Sequence, residues 1–388
     1  LFLGGWLSPI DVYPLNLIQL LRRSPNLSLF SAFRQLGMLK DVVGYNHDTI
    51  YERLDDITFA DWAKSRVSKT FYDIIMEPAA SVTLNEVDIV SAAEMIQMMH
   101  LYFMSTPLAM NREVTTNDHG TMVIDPWVKY LEDRGVTILT ETPVAGLVFE
   151  NGMPVREVDE STEYDWVVLA TSIPGAQAIL GGSIALDEHS ETVVTGLRAT
   201  VNELDVAPPY RVVRFWLDRQ PTETVPDIIE TPQHPPINLA VQFHLLEEES
   251  AQWAARTGGS VLELHLYANE TIAAMDEDAL WPTLASVVEE ILPGLGDANV
   301  LAQSVGTYED FTSYGVGQGK ARPRSSHIFQ VGGDRLSFAG DWLKTNYPCA
   351  LMEKAVSTGR EAANLCLFHD DVREVPLTVT NSRGPGLL

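Results

Sequence analysis

Only two of the 388 residues are cysteine, Cys349 and Cys366, and no spacing makes them a disulfide framework. Two thiols on and beside one predicted helix read as reduced groups in a cytoplasmic protein. Basic charge is scarce as well. Lys and Arg number 26 against 53 Asp and Glu, the net charge is −27, and no Lys occurs between Lys129 and Lys320. So acidic a surface repels nucleic acid and predicts a halophile-like dependence on salt. No run of 18 uncharged apolar residues is present, which excludes an ordinary spanning helix. Triad-hydrolase, dithiol-redox and zincin motifs are also missing, and the nine His residues lack metal-ligand spacing. Gly315-Val316-Gly317-Gln318-Gly319-Lys320 has the wrong spacing for a phosphate loop, with neither strand before it nor helix after it. His244 and His265, on neighbouring predicted strands, could converge, but structural histidines are the commoner case.

What is present is ordered punctuation. Residues 12–36 carry apolar positions at helical spacing, broken at Ser24-Pro25 and ended by Gly37, which predicts two helices. Thr58, with Asp61 three residues on, predicts a helix reaching Met76 before Pro78. A Met-rich helix is expected from Val87 to Met104. Asp125-Pro126 reads as the cap and first residue of a helix through Arg134, ended by Gly135. Strands are expected at 136–139, 144–149, 155–158 and 164–171, with Asn151-Gly152 as a hairpin turn. Between 181 and 329 the Pro pairs at 208–209 and 235–236 separate β-patterned runs, 211–217, 238–245 and 260–267. Leu262, Leu264 and Leu266 alternate with Glu263, His265 and Tyr267, which suits an antiparallel sheet with one face on a helix layer. Asp276 to Leu292 predicts one amphipathic helix.

The most informative stretch is Arg335-Leu336-Ser337-Phe338-Ala339-Gly340-Asp341-Trp342, then Tyr347-Pro348-Cys349-Ala350-Leu351-Met352-Glu353-Lys354-Ala355-Val356-Ser357-Thr358-Gly359-Arg360-Glu361-Ala362-Ala363-Asn364. It reads as a short buried strand with a small-residue end, an Asp at its carboxyl edge, and a helix starting just after Pro348. A helix N-terminus at such an edge favours negative charge on a ligand.

These residues resemble the C-terminal flavin-binding signature of the FAD-dependent amine oxidase and carotenoid desaturase superfamily. The Ala-Leu-Met-Glu run and the following Ala-Ala-Asn are most similar to the carotene desaturase/methyltransferase branch of isorenieratene synthase type, which aromatises carotenoid end rings. Lys354 departs from the pattern, since many members carry Gly there. The resemblance implies a two-domain α/β plus α+β fold: a glutathione-reductase-like FAD domain from 110–180 and 330–370, and a substrate domain from 1–109 and 181–329 with an antiparallel sheet, followed by a tail over 371–388. It also implies FAD contacts at Val144, Ala170, Thr171, Gly340, Asp341, Leu351 and Met352. Asp341 would accept from sugar hydroxyls, and the Leu351 and Met352 amides would face the flavin ring.

The implied activity is hydride transfer from an apolar, carotenoid-like polyene, with no catalytic side chain named. A flavin amine or amino-acid oxidase and a cofactor-free remnant stand as alternatives. Peripheral contact with the inner face of a membrane, through the apolar helices 12–36 and 87–104, is expected for such a substrate. The Gly-x-Gly-x-x-Gly element that would cradle the FAD pyrophosphate is missing and the chain opens at Leu1. It is therefore expected to be part of a longer product and to hold FAD poorly by itself.

Overall fold

The computed structural model of the chain describes residues 36–80, 83–105, 113–231 and 233–384. Three apolar cores organise them. The first is built from short helices set by capping side chains. After α1 (Leu36–Val42), α2 (His47–Leu54) begins where the Asn46 side chain accepts from the Asp48 amide. Next, α3 (Phe59–Lys64) begins with Thr58 Oγ1 accepting from Asp61 N at 3.1 Å. The helices expected over 12–36 fall outside the described residues, but Gly37 lies inside α1 and ends no helix. The single helix expected from Thr58 to Met76 is broken: the Ser65 hydroxyl bonds Trp62 O, and Ser68 starts a new turn by accepting from Phe71 N. Such hydroxyls compete with the backbone for its own partners.

Helix α4 (Ala92–Met99) starts later than Val87 because Ser91 Oγ accepts from Ala93 N, and it continues as a π-helix over His100–Met104. Its Ala93, Met95, Ile96 and Met98 are buried with Ile50, Phe59 and Trp62. Within 87–104, Ala92, Ala93 and Ile96 of the expected apolar face lie in this core and Ile89 is 42% exposed. Among the described residues, no helix is long and apolar enough to cross a membrane.

Ahead of the second core a π-turn over Gly120–Ile124 runs directly into α5 (Asp125–Glu132), neither with a buried residue, so Asp125 is already helical and caps nothing. Residues 136–139 form no strand: none of the described chain pairs with them, and Leu139 is 71% exposed. The hairpin is formed by β1 (Leu147–Glu150), shorter than the expected run, and β2 (Met153–Glu157), which starts two residues earlier than expected. Asn151 and Gly152 turn it with φ of 53° and 76°, the double positive φ of a type I′ turn. Three elements that the sequence reading did not include follow β3 (Val167–Leu169): α6 (Ile173–Gly182), β4 (Ile184–Ala185) and α7 (Glu188–Asn202). The core they bury runs on to Leu204.

The third core is the antiparallel sheet, β5 (Tyr210–Leu217), β6 (Ile228–Glu230), β7 (Leu239–Gln242), β8 (Ser260–Leu266) and β9 (Val300–Tyr308), in the order β6-β7-β8-β5-β9. The run expected to reach Leu245 ends at Gln242 and passes into a 3₁₀ turn. Helix α8 (Glu248–Thr257) precedes β8 and ends at Gly258, which has a left-handed φ of 75°. Leu262, Leu264 and Leu266 bury with Val213 and Phe215 against Leu280, Leu284 and Val288 of α9 (Glu277–Ile291). The chain enters and leaves this sheet side by side: Ala207 N donates to Phe311 O at 2.7 Å, and Ser313 N to Asp205 O at 3.1 Å.

It then returns to the second core as β10 (Leu336–Phe338), parallel to β3, and α10 (Leu351–His369). Beyond α10 the tail crosses to the helical lobe, where Gly384 N donates to Tyr45 O at 2.8 Å. The whole is the two-lobed α/β plus α+β architecture expected from the sequence.

Candidate cofactor site

Because β3 and β10 are parallel, their carboxyl ends emerge at one edge, which places Ala170 and Thr171 beside Gly340 and Asp341. Ala339 N closes the pairing on Leu169 O at 3.0 Å. Gly340 is required there by Trp342: a Cβ would lie 2.5 Å from the indole nitrogen, which itself donates to Thr171 O at 2.8 Å. The Thr171 hydroxyl is buried without a hydrogen-bond partner. Asp341 accepts from Thr312 Oγ1 at 3.1 Å, leaving carboxylate capacity for a further donor.

Helix α10 begins at the same edge. Its N-cap Ala350 supplies no side-chain bond, so the first-turn amides, Leu351 and Met352 among them, are left for another acceptor. Leu351 holds a positive φ of 53°, a conformation that costs a branched residue free energy and is typical of functional edges. Thr358 fastens the helix to the strand end, its hydroxyl accepting from Gly340 N at 2.9 Å. Met352 is exposed beside a cavity of about 330 Å³ that Val356 and Leu377 also line. Val144 packs partly buried on the second core, to which Leu169 and Phe338 of the two strands also belong. The parallel strand ends thus bring Ala170, Thr171, Gly340 and Asp341 together, and Thr358 ties α10, which carries Leu351 and Met352, to that edge.

Beneath that edge lies a buried charged cluster absent from the sequence reading. Glu94 of α4 and Arg322 form an ion pair at 2.6 Å, both side chains almost fully enclosed. Tyr51 donates to Glu94 Oε2 and Gln97 Oε1 at 3.2 and 2.8 Å, while Gln97 donates to Cys349 O at 3.0 Å. Arg322 also donates to Ser313 O and stands over the Tyr314 ring, 4.9 Å from its centre. Burial alone would lower the Arg322 pKa; Glu94, together with Tyr51, Tyr314 and Asp55, more than offsets it, and the cation is held firmly. Burial likewise raises the Cys349 thiol. A Glu inside the apolar Ala-Ala-Glu-Met-Ile run was the one sequence signal for this cluster.

An aromatic file leads from the antiparallel sheet to the same place. Tyr210 stacks on Tyr308 at 4.9 Å and meets Tyr267 and Phe311 at 6.1 Å, and Phe311 meets Tyr314 at 6.0 Å. Phe311 and Tyr314 flank Thr312, the Asp341 partner. The polar face of the sheet is self-satisfied: Arg214 pairs with Glu263 at 2.8 Å, and His265 lies between Glu263 and Tyr267 at 2.9 and 2.8 Å. His244 instead meets the Val261 backbone, so the two histidines do not converge. No group of three or more His, Cys, Asp or Glu is placed to hold a metal among the described residues. Contrary to expectation, a short helix, Gln318–Ala321, does follow the Gly-rich run, but the Lys320 amide and ammonium bind Asp55 and Asp56.

Residues 15–367 match the family described as flavin containing amine oxidoreductase. The chain belongs to that family. Its cofactor is FAD, and the strand ends, the uncapped amides of α10 and the orphaned Thr171 hydroxyl fit such a group. A carotenoid phi-ring synthase of Streptomyces griseus is 30% identical over 329 residues, covering 84% of this chain and 61% of the relative. Another, from Chlorobaculum tepidum, is 21% identical and covers 96% of this chain and 75% of its own length. The chain therefore spans about three-fifths of the first relative. Among solved structures, a redesigned putrescine oxidase superposes with a TM-score of 0.60 at 10% identity, covering 88% of this chain and 77% of the other. That likeness speaks for the fold alone.

Proposed function

We propose that this member of the flavin family oxidises an apolar, carotenoid-like polyene, and that its reaction is desaturation leading to aromatisation of an end ring. The observation that carries the reading is the aromatic file, Tyr267, Tyr210, Phe311 and Tyr314, which ends at Asp341. Aromatic faces suit an extended hydrocarbon, and they favour electron-poor carbon developing next to them. The names of the two phi-ring synthase relatives support the same substrate class.

In this reading FAD supplies the two-electron oxidant: one C–H bond of the substrate gives up a hydride, the neighbouring C–H gives its proton to solvent, and a C=C bond forms. The chain's own residues bind and orient. Asp341 would accept from sugar hydroxyls of the cofactor, the Leu351 and Met352 amides would face its ring, Ala170, Thr171 and Gly340 would let it approach the strand ends, and Val144 would serve the nucleotide end. The amine oxidase alternative needs a free polar anchor, and both arginines of β5 are committed, Arg211 to Thr307 Oγ1 and Met275 O and Arg214 to Glu263 and Glu247.

The test is anaerobic mixing of flavin-loaded protein with a cyclic-ended carotenoid in detergent, and separately with a primary amine. Loss of oxidised-flavin absorbance with the carotenoid, together with a product lacking two hydrogens, is the expected result. Bleaching by the amine alone sinks the proposal. Asp341→Ala should weaken FAD binding by about 1.5–3 kcal/mol, the worth of a hydrogen bond to a charged group, with less effect on folding; unaltered flavin content removes Asp341 from the site.

A further inference from the structure

Lys354, the residue at which the sequence departs from its family's pattern, is the least explained group in the molecule. It stands in the first turn of α10, is 2% exposed, and its ammonium makes no hydrogen bond or ion pair among the described residues. An unpaired ammonium in such a place costs several kcal/mol unless a partner arrives. Its surroundings are specific. Arg322, Glu94, Cys349 and Asp341 act on it electrostatically, and it acts in turn on His47. The Tyr314 hydroxyl, within the same group of charges, is fully enclosed and also lacks a partner. Burial, and after it Arg322, lowers the Lys354 pKa; Glu94, Cys349 and Asp341 oppose them only in part. Glu94 is already taken by Arg322, and Asp341 by Thr312. A negative ligand at the α10 N-terminus would supply what the cluster lacks.

We propose that Lys354 is the charge-compensating residue of the cofactor site, a buried cation that favours the FAD ring when it carries the negative charge of reduction, with the Tyr314 hydroxyl as a second donor to the same ligand. The inference rests on the placement of FAD at the Asp341 edge. The physics is that of a preorganised charge in a low-dielectric site, aligned with the positive end of a 19-residue helix. The Met, Ala and aromatic residues around it keep water from doing the same work.

The experiment measures the reduction potential of bound FAD, its dissociation constant and the thermal midpoint in Lys354→Met, Lys354→Arg, Tyr314→Phe and Asp341→Ala. For K354M the expected result is a midpoint unchanged or raised, since a buried unpaired charge has been replaced by an apolar chain of similar length. Preference for reduced over oxidised flavin should fall at least tenfold, about 30 mV for a two-electron couple. K354R should recover part of the loss, and Y314F should shift the potential the same way by less. A purely structural lysine would lower the midpoint and leave the potential alone, and that outcome overturns the proposal. Unchanged potentials in K354M and Y314F, with flavin lost in D341A, overturn it while leaving the site in place. Flavin unaltered in all four variants overturns the placement itself. Should K354M fail to fold, K354Q carries the same comparison, and an unchanged potential there is equally fatal.

Discussion

In the antiparallel lobe β5, β7 and β8 are each paired on both sides, whereas β3 and β10 have only each other among the described residues. The first sheet closes its own core against α9, with Leu264 and Leu284 fully buried. The second leaves Val168 44% exposed, and Trp127 of α5 and Leu139 also stand in solvent. Parallel strands are ordinarily covered on both faces. One lobe therefore closes on its own contacts, while the other leaves open the edge proposed to hold the cofactor.

Three measurements break or sharpen that contrast. The largest effect belongs to the closed core: Leu264→Ala should cost about 2–5 kcal/mol, read as a drop in the denaturation midpoint, because the cavity cannot collapse between two packed layers. A loss under about 1 kcal/mol, typical of a half-exposed site, would deny that the lobe is self-sufficient. Next comes salt. The antiparallel lobe lies wholly within the stretch that has no Lys between Lys129 and Lys320, so its carboxylates are answered only by Arg and by counterions. Its amide-exchange protection should rise from low to molar KCl more than that of the β3–β10 lobe. Equal gains in both lobes would reduce salt adaptation to a general surface property. The smallest effect is Val168→Lys, expected within about 0.5 kcal/mol if that face meets water as the structure has it. A much larger loss of stability would mean that the face is covered.

Local chemistry decided how much of this was legible beforehand. Asn151-Gly152 fixed a hairpin because few residue pairs accept two positive φ values, and Leu336 to Phe338 announced a buried strand. The helix of 277–291 declared itself by period, with Leu280, Leu284, Val288 and Ile291 on one face. β9 was passed over since Gln303, Ser304, Gly306 and Thr307 offer no apolar alternation; it is a strand only because β5 lies beside it. The strand expected at 136–139 failed for the converse reason, good local propensity without a neighbour. Glu94, Arg322 and Tyr314 were invisible as a unit, because a buried ion pair is made by packing of distant segments and neither partner advertises the other. Lys354 was noticed only as a misfit, and burial is what gives the misfit its meaning.

The paired crossings at Ala207–Phe311 and Asp205–Ser313 have a consequence in time. Everything between them is a detour in the path from β3 to β10, and a detour that folds by itself shortens the journey. Once the antiparallel sheet has formed, its two ends are held by adjacent hydrogen bonds, and the remaining chain that must be closed to bring Val167 against Leu336 is only the few dozen residues outside the sheet. The entropy of loop closure grows with the logarithm of length, so the gain per residue is small, yet it falls on the slowest contact, a parallel pairing. The inserted lobe thus reads as a clasp, and in refolding experiments protection in β5 and β8 should precede protection in β3 and β10.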